Sequence, residues 1–120
     1  MFIEFCKSKL AHGHVTDASL HYEGSITIDE ALLEAAGILS GEKVEVLNMN
    51  NGNRFTTYAI KGKAGAGQIC LNGPAARLGL IGDQVIILSY AFMDPQEARE
   101  SETKVVYLDK DNKIKRLNPI

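Results

Sequence analysis

Few side chains in this sequence stand at a spacing that supports chemistry. His12 and His14 are two apart, so on a strand both would face one side. A metal site built on them needs a third ligand. Only His21 and scattered carboxylates are available, none at a convincing spacing. The segment Lys61–Gly67 (KGKAGAG) resembles a phosphate loop but lacks the Gly-Lys-Ser/Thr ending that opens a helix, so a flexible turn is the expectation. There is no Gly-x-Ser-x-Gly elbow, and neither Cys6 nor Cys70 pairs with a histidine as a nucleophile would. The remaining reactive candidate is Ser25, directly after Gly24. Taken alone, a Gly-Ser pair marks a turn.

Short extended runs must position these residues. Residues 2–8 and 9–16 read as strand, and 17–25 as a polar loop. Ser25–Ile28 is a short strand, after which Asp29 caps a helix over Glu30–Ala36 that stops at Gly37. Lys43–Asn48 and Arg54–Ile60 form a hairpin across Asn51-Gly52. Gln68–Asn72 is strand, and Pro74 opens one helical turn. Val85–Phe92 is continuously apolar, as for a strand buried on both faces, and a last hairpin joins Lys104–Leu108 to Lys113–Leu117. The segments AAGILSGEKVEV (35–46) and ARLGLIGDQVII (76–87) align at a spacing of 41 residues. Two chance copies of a helix-turn-strand unit and a duplicated half-barrel both fit. Many short strands and only two short helices point to a closed β-barrel, which leaves no exposed sheet edge.

Composition bounds the function. The chain has 120 residues, one domain by length, and its 45% hydrophobic and 23% charged residues describe an ordinary globular protein. Thirteen Lys and Arg against fifteen Asp and Glu give a net charge of −2, so neither nucleic acid nor an anionic membrane is an expected partner. Two cysteines read as free thiols of a reducing compartment. Glu4 and Lys7 interrupt any signal-peptide core, and the Val85–Met93 stretch is too short to span a bilayer. A cytoplasmic location is the expectation.

Several segments are jointly distinctive: His21-Tyr22-Glu23-Gly24-Ser25, Ala35-Ala36-Gly37-Ile38-Leu39, Asn51 through Ile60 (NGNRFTTYAI), Asn72-Gly73-Pro74-Ala75-Ala76 and Gly82 through Ile87 (GDQVII). In register over nearly the whole chain, they resemble the pyruvoyl-dependent aspartate 1-decarboxylases, or aspartate α-decarboxylases. The resemblance implies a mainly β fold, the six-stranded double-ψ β-barrel with short helices. It implies a single domain, 1–120, that cuts itself into 1–24 and 25–120. It further implies conversion of L-aspartate to β-alanine and CO₂ for pantothenate and coenzyme A synthesis, by a homotetramer with sites between neighbouring subunits. Some members of the family use an accessory maturation protein.

Such a reaction needs an electron sink, because decarboxylating an α-amino acid leaves electrons at Cα and ordinary side chains cannot take them. A pyruvoyl group derived from Ser25 is such a sink, its ketone forming a Schiff base with the substrate amine. Gly24, without Cβ, leaves its carbonyl open to Ser25 Oγ and tolerates a strained turn. The oxyanion formed needs donors. The resemblance assigns Thr57 and Asn72 to processing, Thr57 also to substrate, and Tyr58 to protonation after CO₂ leaves. It assigns Arg54, Lys9 and the backbone of Gly73-Pro74-Ala75 to substrate binding, where a guanidinium suits a carboxylate.

Two departures stand out. Ala11 occupies a position where the family often has histidine, and a one-residue offset on a strand reverses the facing, so that role is not given to His12. Pro74, often alanine, removes one backbone N–H. The alternative function is a DNA-binding swapped-hairpin regulator of the AbrB type. Ser25–Val46 has its strand-helix-turn-strand pattern but carries one lysine against five acids, where phosphate binding needs cations.

Overall fold

The computed structural model describes residues 1–119. Nine strands form one array: β1 (Ile3–His14), β2 (Asp17–Ser19), β3 (Ser25–Asp29), β4 (Lys43–Asn48), β5 (Arg54–Gly62), β6 (Ile69–Asn72), β7 (Gln84–Met93), β8 (Lys104–Leu108) and β9 (Ile114–Pro119). Helices α1 (Glu30–Ala36) and α2 (Pro95–Glu100), with a 3₁₀ turn over Gly73–Arg77, complete the chain. The fold is mainly β, as expected.

Strand order is β2-β6-β3-β5-β4-β7-β1-β8-β9. Only Val15 and Thr16 separate β1 from β2, and their N–H groups bond to Asp83 O (2.9 Å) and Ile69 O (2.8 Å). The run from β2 to β1 therefore begins and ends on the same stretch of chain, which is how six strands make a barrel. The β8–β9 hairpin adds on through β8, parallel to β1. Leu10, Ile26, Ile28, Val46, Ile69, Leu71, Val85 and Ile87 are fully buried and fill the interior. Each contributes about 2 kcal/mol by leaving water.

The 41-residue repeat is structural. Gly41 and Gly82 have φ of 94° and 93°. Glu42 N–H bonds to Leu39 O and Asp83 N–H to Leu80 O, both at 3.0 Å. The Glu42 carboxylate accepts from Leu39 N–H (3.0 Å) and that of Asp83 from Leu80 N–H (2.9 Å). Val46 and Ile87, equivalent positions, face each other across β4 and β7, so a local two-fold relates the halves through that pair. Bonds cross the two-fold in matched fashion: Asn48 donates to Asp83, and Ser89 to Glu42. The duplicated half-barrel is the reading the geometry supports.

Some expectations need correcting. Asp17–Ser19, read as loop, is a strand because it finds parallel partners in Cys70–Asn72. Along β7 the interior half is buried, but Tyr90 and Phe92 are exposed. The helix α2 was missed although Asp94 caps it and Pro95 stands in its first turn, because it buries no residue and shows no apolar stripe. β1 shifts register between Leu10 and Gly13 and His12 has φ of 65°, yet His12 and His14 border one cleft, as their spacing suggested. Ser25–Val46 folds as strand, helix, strand, but β5 lies between β3 and β4, so the pair is not a hairpin.

Candidate active site

Strand register assembles the site. Ser25 opens β3 opposite Asn72 of β6. On the other side Ile26 pairs with Ala59 of β5 in parallel. Thr57 and Tyr58 precede Ala59 on β5, and both border one cleft with Gly24. There the β3 ladder ends. Residues 20–24 are exposed and Ser25 is fully buried, so the Gly24–Ser25 bond joins a surface turn to the barrel interior. Where the strands part, a cleft of about 310 Å³ opens between Gly24, Phe55, Thr57, Tyr58, Pro74 and Ala75. Tyr58 is 40% exposed at its mouth.

Hydrogen bonds fix the serine. Asn72 Nδ2 donates to Ser25 Oγ and to Thr27 Oγ1, both at 2.9 Å. Its Oδ1 accepts from Cys70 Sγ at 3.2 Å. Burial pushes the Cys70 thiol pKa up and the charge of Asp17 adds to this, so the group stays protonated and can donate. Gly73 has φ of +64°, and a Cβ there would lie 2.5 Å from Tyr22 O and 2.9 Å from Gly24 N. Only glycine combines that backbone with so close an approach. It thereby seats the turn that carries Gly24. Pro74 follows it, its Cδ 3.5 Å from where a Cβ on Gly24 would be.

The chemistry available is attack of a buried, oriented hydroxyl on the preceding carbonyl, beside a cleft open to a small ligand. A larger cleft of about 390 Å³ is bordered by Glu4, Glu42, Lys43 and Glu45, with Glu42 paired to Lys7 at 3.0 Å. Of the residues singled out in the sequence, Gly24, Thr57, Tyr58, Pro74 and Ala75 share one cleft, with Ser25, Asn72 and Gly73 behind it. Arg54 and Lys9 are not brought there. Arg54 is exposed on β5, four residues or about 13 Å along the strand from Tyr58. Lys9 lies in the cross-strand row Lys9–Leu88–Glu45–Thr56, three strand spacings or about 14 Å from Thr56. His12 is also elsewhere, stacked on Tyr107 with ring centres 5.8 Å apart and bonded to Gln84. Thr27 and Cys70, which hold Asn72, were not singled out in the sequence. Their spacing of two from Ser25 and Asn72 on paired strands was the available signal.

The KGKAGAG loop also has a use the sequence did not reveal. Gly65 and Gly67 donate backbone N–H groups to the Asp29 carboxylate at 3.0 and 2.8 Å, so the anion the loop wraps is the chain's own. Among the described residues no group of three or more His, Cys, Asp or Glu is disposed to hold a metal ion.

A family profile described as aspartate decarboxylase matches residues 1–115. The chain is 55% identical over 118 residues to the aspartate 1-decarboxylase of Caldicellulosiruptor saccharolyticus, covering 98% of this chain and 92% of that protein. It is 59% identical over 114 residues to that of Pelotomaculum thermopropionicum, covering 95% and 86%. Among solved structures, the rationally designed mkDPBB_sym_86 protein superposes with a TM-score of 0.48 at 16% identity, over 66% of this chain and 91% of that one, too distant to carry an argument.

Proposed function

The chain belongs to the aspartate decarboxylase family, which makes it an enzyme, a carboxy-lyase; from that premise we propose that it cuts itself between Gly24 and Ser25 and converts L-aspartate to β-alanine with a pyruvoyl group made from Ser25. The observation that carries this is the junction itself: a buried serine, its hydroxyl held by Asn72, directly behind an exposed glycine at a cleft.

The covalent steps balance within the chain and solvent. Ser25 Oγ bonds to the Gly24 carbonyl carbon as the C–N bond breaks, and the hydroxyl proton ends on the Ser25 nitrogen. A solvent water takes the Cα proton, and the Cβ–Oγ bond breaks with its electrons passing to Oγ, now part of the Gly24 carboxylate. The enamine left at residue 25 tautomerises, adds water and releases ammonia, giving the ketone. Thr57, beside Gly24, is the group to donate to the oxyanion of the first step.

The pyruvoyl group supplies the electron sink on which the substrate amine is held while CO₂ leaves. The residues present fit such a group, because the cleft meets the chain at residue 25 and Asn72 keeps a donor there. Tyr58 stands at the cleft mouth to return a proton to Cα, and the Gly73–Ala75 backbone borders the substrate. Arg54 and Lys9 lie outside this cleft on the barrel exterior, where they serve a carboxylate only if a second copy sets its own cleft against them. A homotetramer with sites shared between neighbours accommodates that. The product suits pantothenate and coenzyme A synthesis, a cytoplasmic pathway. An accessory maturation protein is compatible with so enclosed a serine.

The test is β-alanine release from L-aspartate by purified enzyme. Wild type should release it, and Ser25→Ala, with no nucleophilic oxygen, should release none. A wild-type preparation that leaves aspartate untouched, or an active Ser25→Ala, would refute the reading.

A further inference from the structure

We propose that Thr27 is a positioning residue for the self-cleavage, holding the Asn72 carboxamide so that one of its N–H bonds is aimed at Ser25 Oγ. The inference rests on the reading of Gly24–Ser25 as the cleaved bond and assigns to that step a residue outside the cleft.

The argument begins with register. On β3, Ser25 and Thr27 are two apart and face the same side. Opposite them on β6 stand Asn72 and Cys70, in the pairs Ser25↔Asn72 and Thr27↔Cys70. Four short polar side chains therefore meet on one patch of two strands, with Asn72 at their centre. A carboxamide is planar and has one nitrogen with two hydrogens. Both are used, at equal 2.9 Å distances, on Ser25 Oγ and Thr27 Oγ1. Cys70 donates to Oδ1 at the opposite end of the same amide, at 3.2 Å.

Asn72 is buried, so a hydrogen deprived of Thr27 Oγ1 has no ready water to replace it. The amide would turn to seek another acceptor, and the N–H on Ser25 Oγ would turn with it. That N–H matters twice. It holds Oγ in one orientation before the hydroxyl attacks the carbonyl, and it faces the negative charge that gathers on Oγ when the Cβ–Oγ bond breaks and Oγ departs within the Gly24 carboxylate. A donor already aimed at Oγ serves both steps without reorganising. Thr27 touches no reacting atom and acts only through Asn72.

The experiment follows cleavage of freshly purified precursor by denaturing mass spectrometry, together with the melting temperature of each protein. Thr27→Val keeps the shape of the side chain and loses the acceptor. Its cleavage should slow by about tenfold, the worth of one orienting hydrogen bond. Thr27→Ala, a second variant without the hydroxyl, should be slowed likewise. Thr27→Ser restores the acceptor and should restore the rate, which a purely structural role for the methyl group would not do. Wild-type cleavage in Thr27→Val or Thr27→Ala overturns the proposal, and so does a Thr27→Ser variant as slow as the valine one. A wild-type chain that never cleaves overturns the self-cleavage reading, and this inference with it.

Discussion

At the scale of single residues, the proposed mechanism makes Tyr58 the residue that separates formation of the cofactor from its use. It borders one cleft with Gly24, is exposed enough to meet a substrate, and its hydroxyl makes no bond on which the packing of β5 depends among the described residues. Tyr58→Phe keeps the ring and removes the proton donor. The variant should cleave and carry a full pyruvoyl complement, yet turn over aspartate about 10²- to 10⁴-fold more slowly, the usual contribution of a positioned general acid. Pyruvoyl content and β-alanine release measured on one preparation decide this. Wild-type turnover would remove Tyr58 from the reaction, and absent pyruvoyl would move it to maturation. Ser25, Gly24, Thr57, Tyr58, Asn72 and the Gly73–Ala75 segment could be named as candidates from the sequence because the motifs around them are distinctive. Thr27 and Cys70 could not. As residues they are an ordinary strand threonine and a buried thiol, and only the pairing of β3 with β6 gathers them round Asn72.

At the scale of elements, the junction of β3 and α1 turns on Asp29. Its carboxylate caps α1 through Ala31 N–H at 2.8 Å and takes the N–H groups of Gly65 and Gly67 as well. Burial alone would raise its pKa, but the three backbone donors, with the charge of Lys113, outweigh it and hold the group below the ordinary aspartate range. The unfolded value is about 3.9, so the stabilisation is fully present above roughly pH 4 and is lost as pH falls through the lower folded value. Asp29→Asn would set an amide N–H₂ against the Gly67 donor. It should cost about 2 kcal/mol at neutral pH and flatten the acid limb of the stability profile. Chemical denaturation of both proteins at neutral and acid pH measures this, and an unchanged acid limb would show that Asp29 carries no such linkage. The capping role of Asp29 was legible because Asp before a short apolar helix ending in glycine is a local signal. The Gly65–Gly67 cradle was not, since it depends on a turn 36 residues away in sequence. The strand β2 was hidden for the same reason: three exposed residues become a strand only through their partners on β6.

At the scale of the whole molecule, the repeat spaced by 41 residues was readable, but not whether it meant anything. The crossed bonds Asn48 to Asp83 and Ser89 to Glu42 settle that, since each half's acidic turn is closed by the other half's strand. The two-fold also explains why Leu39 and Leu80 are exposed alike, at 75% and 74%. The proposed active cleft breaks this symmetry. It forms only where β3 leaves β5, and the cations named from the sequence, Arg54 and Lys9, lie outside it. Everything proposed for the chain depends on one bond breaking at that place. The direct measurement is the intact mass of purified wild-type protein under denaturing conditions, after warming with any accessory factor it needs. The account predicts two species, residues 1–24 ending in a free carboxylate and residues 25–120 beginning with a ketone in place of the serine amine and hydroxyl. A single chain of unmodified mass, with Ser25 intact, would contradict it.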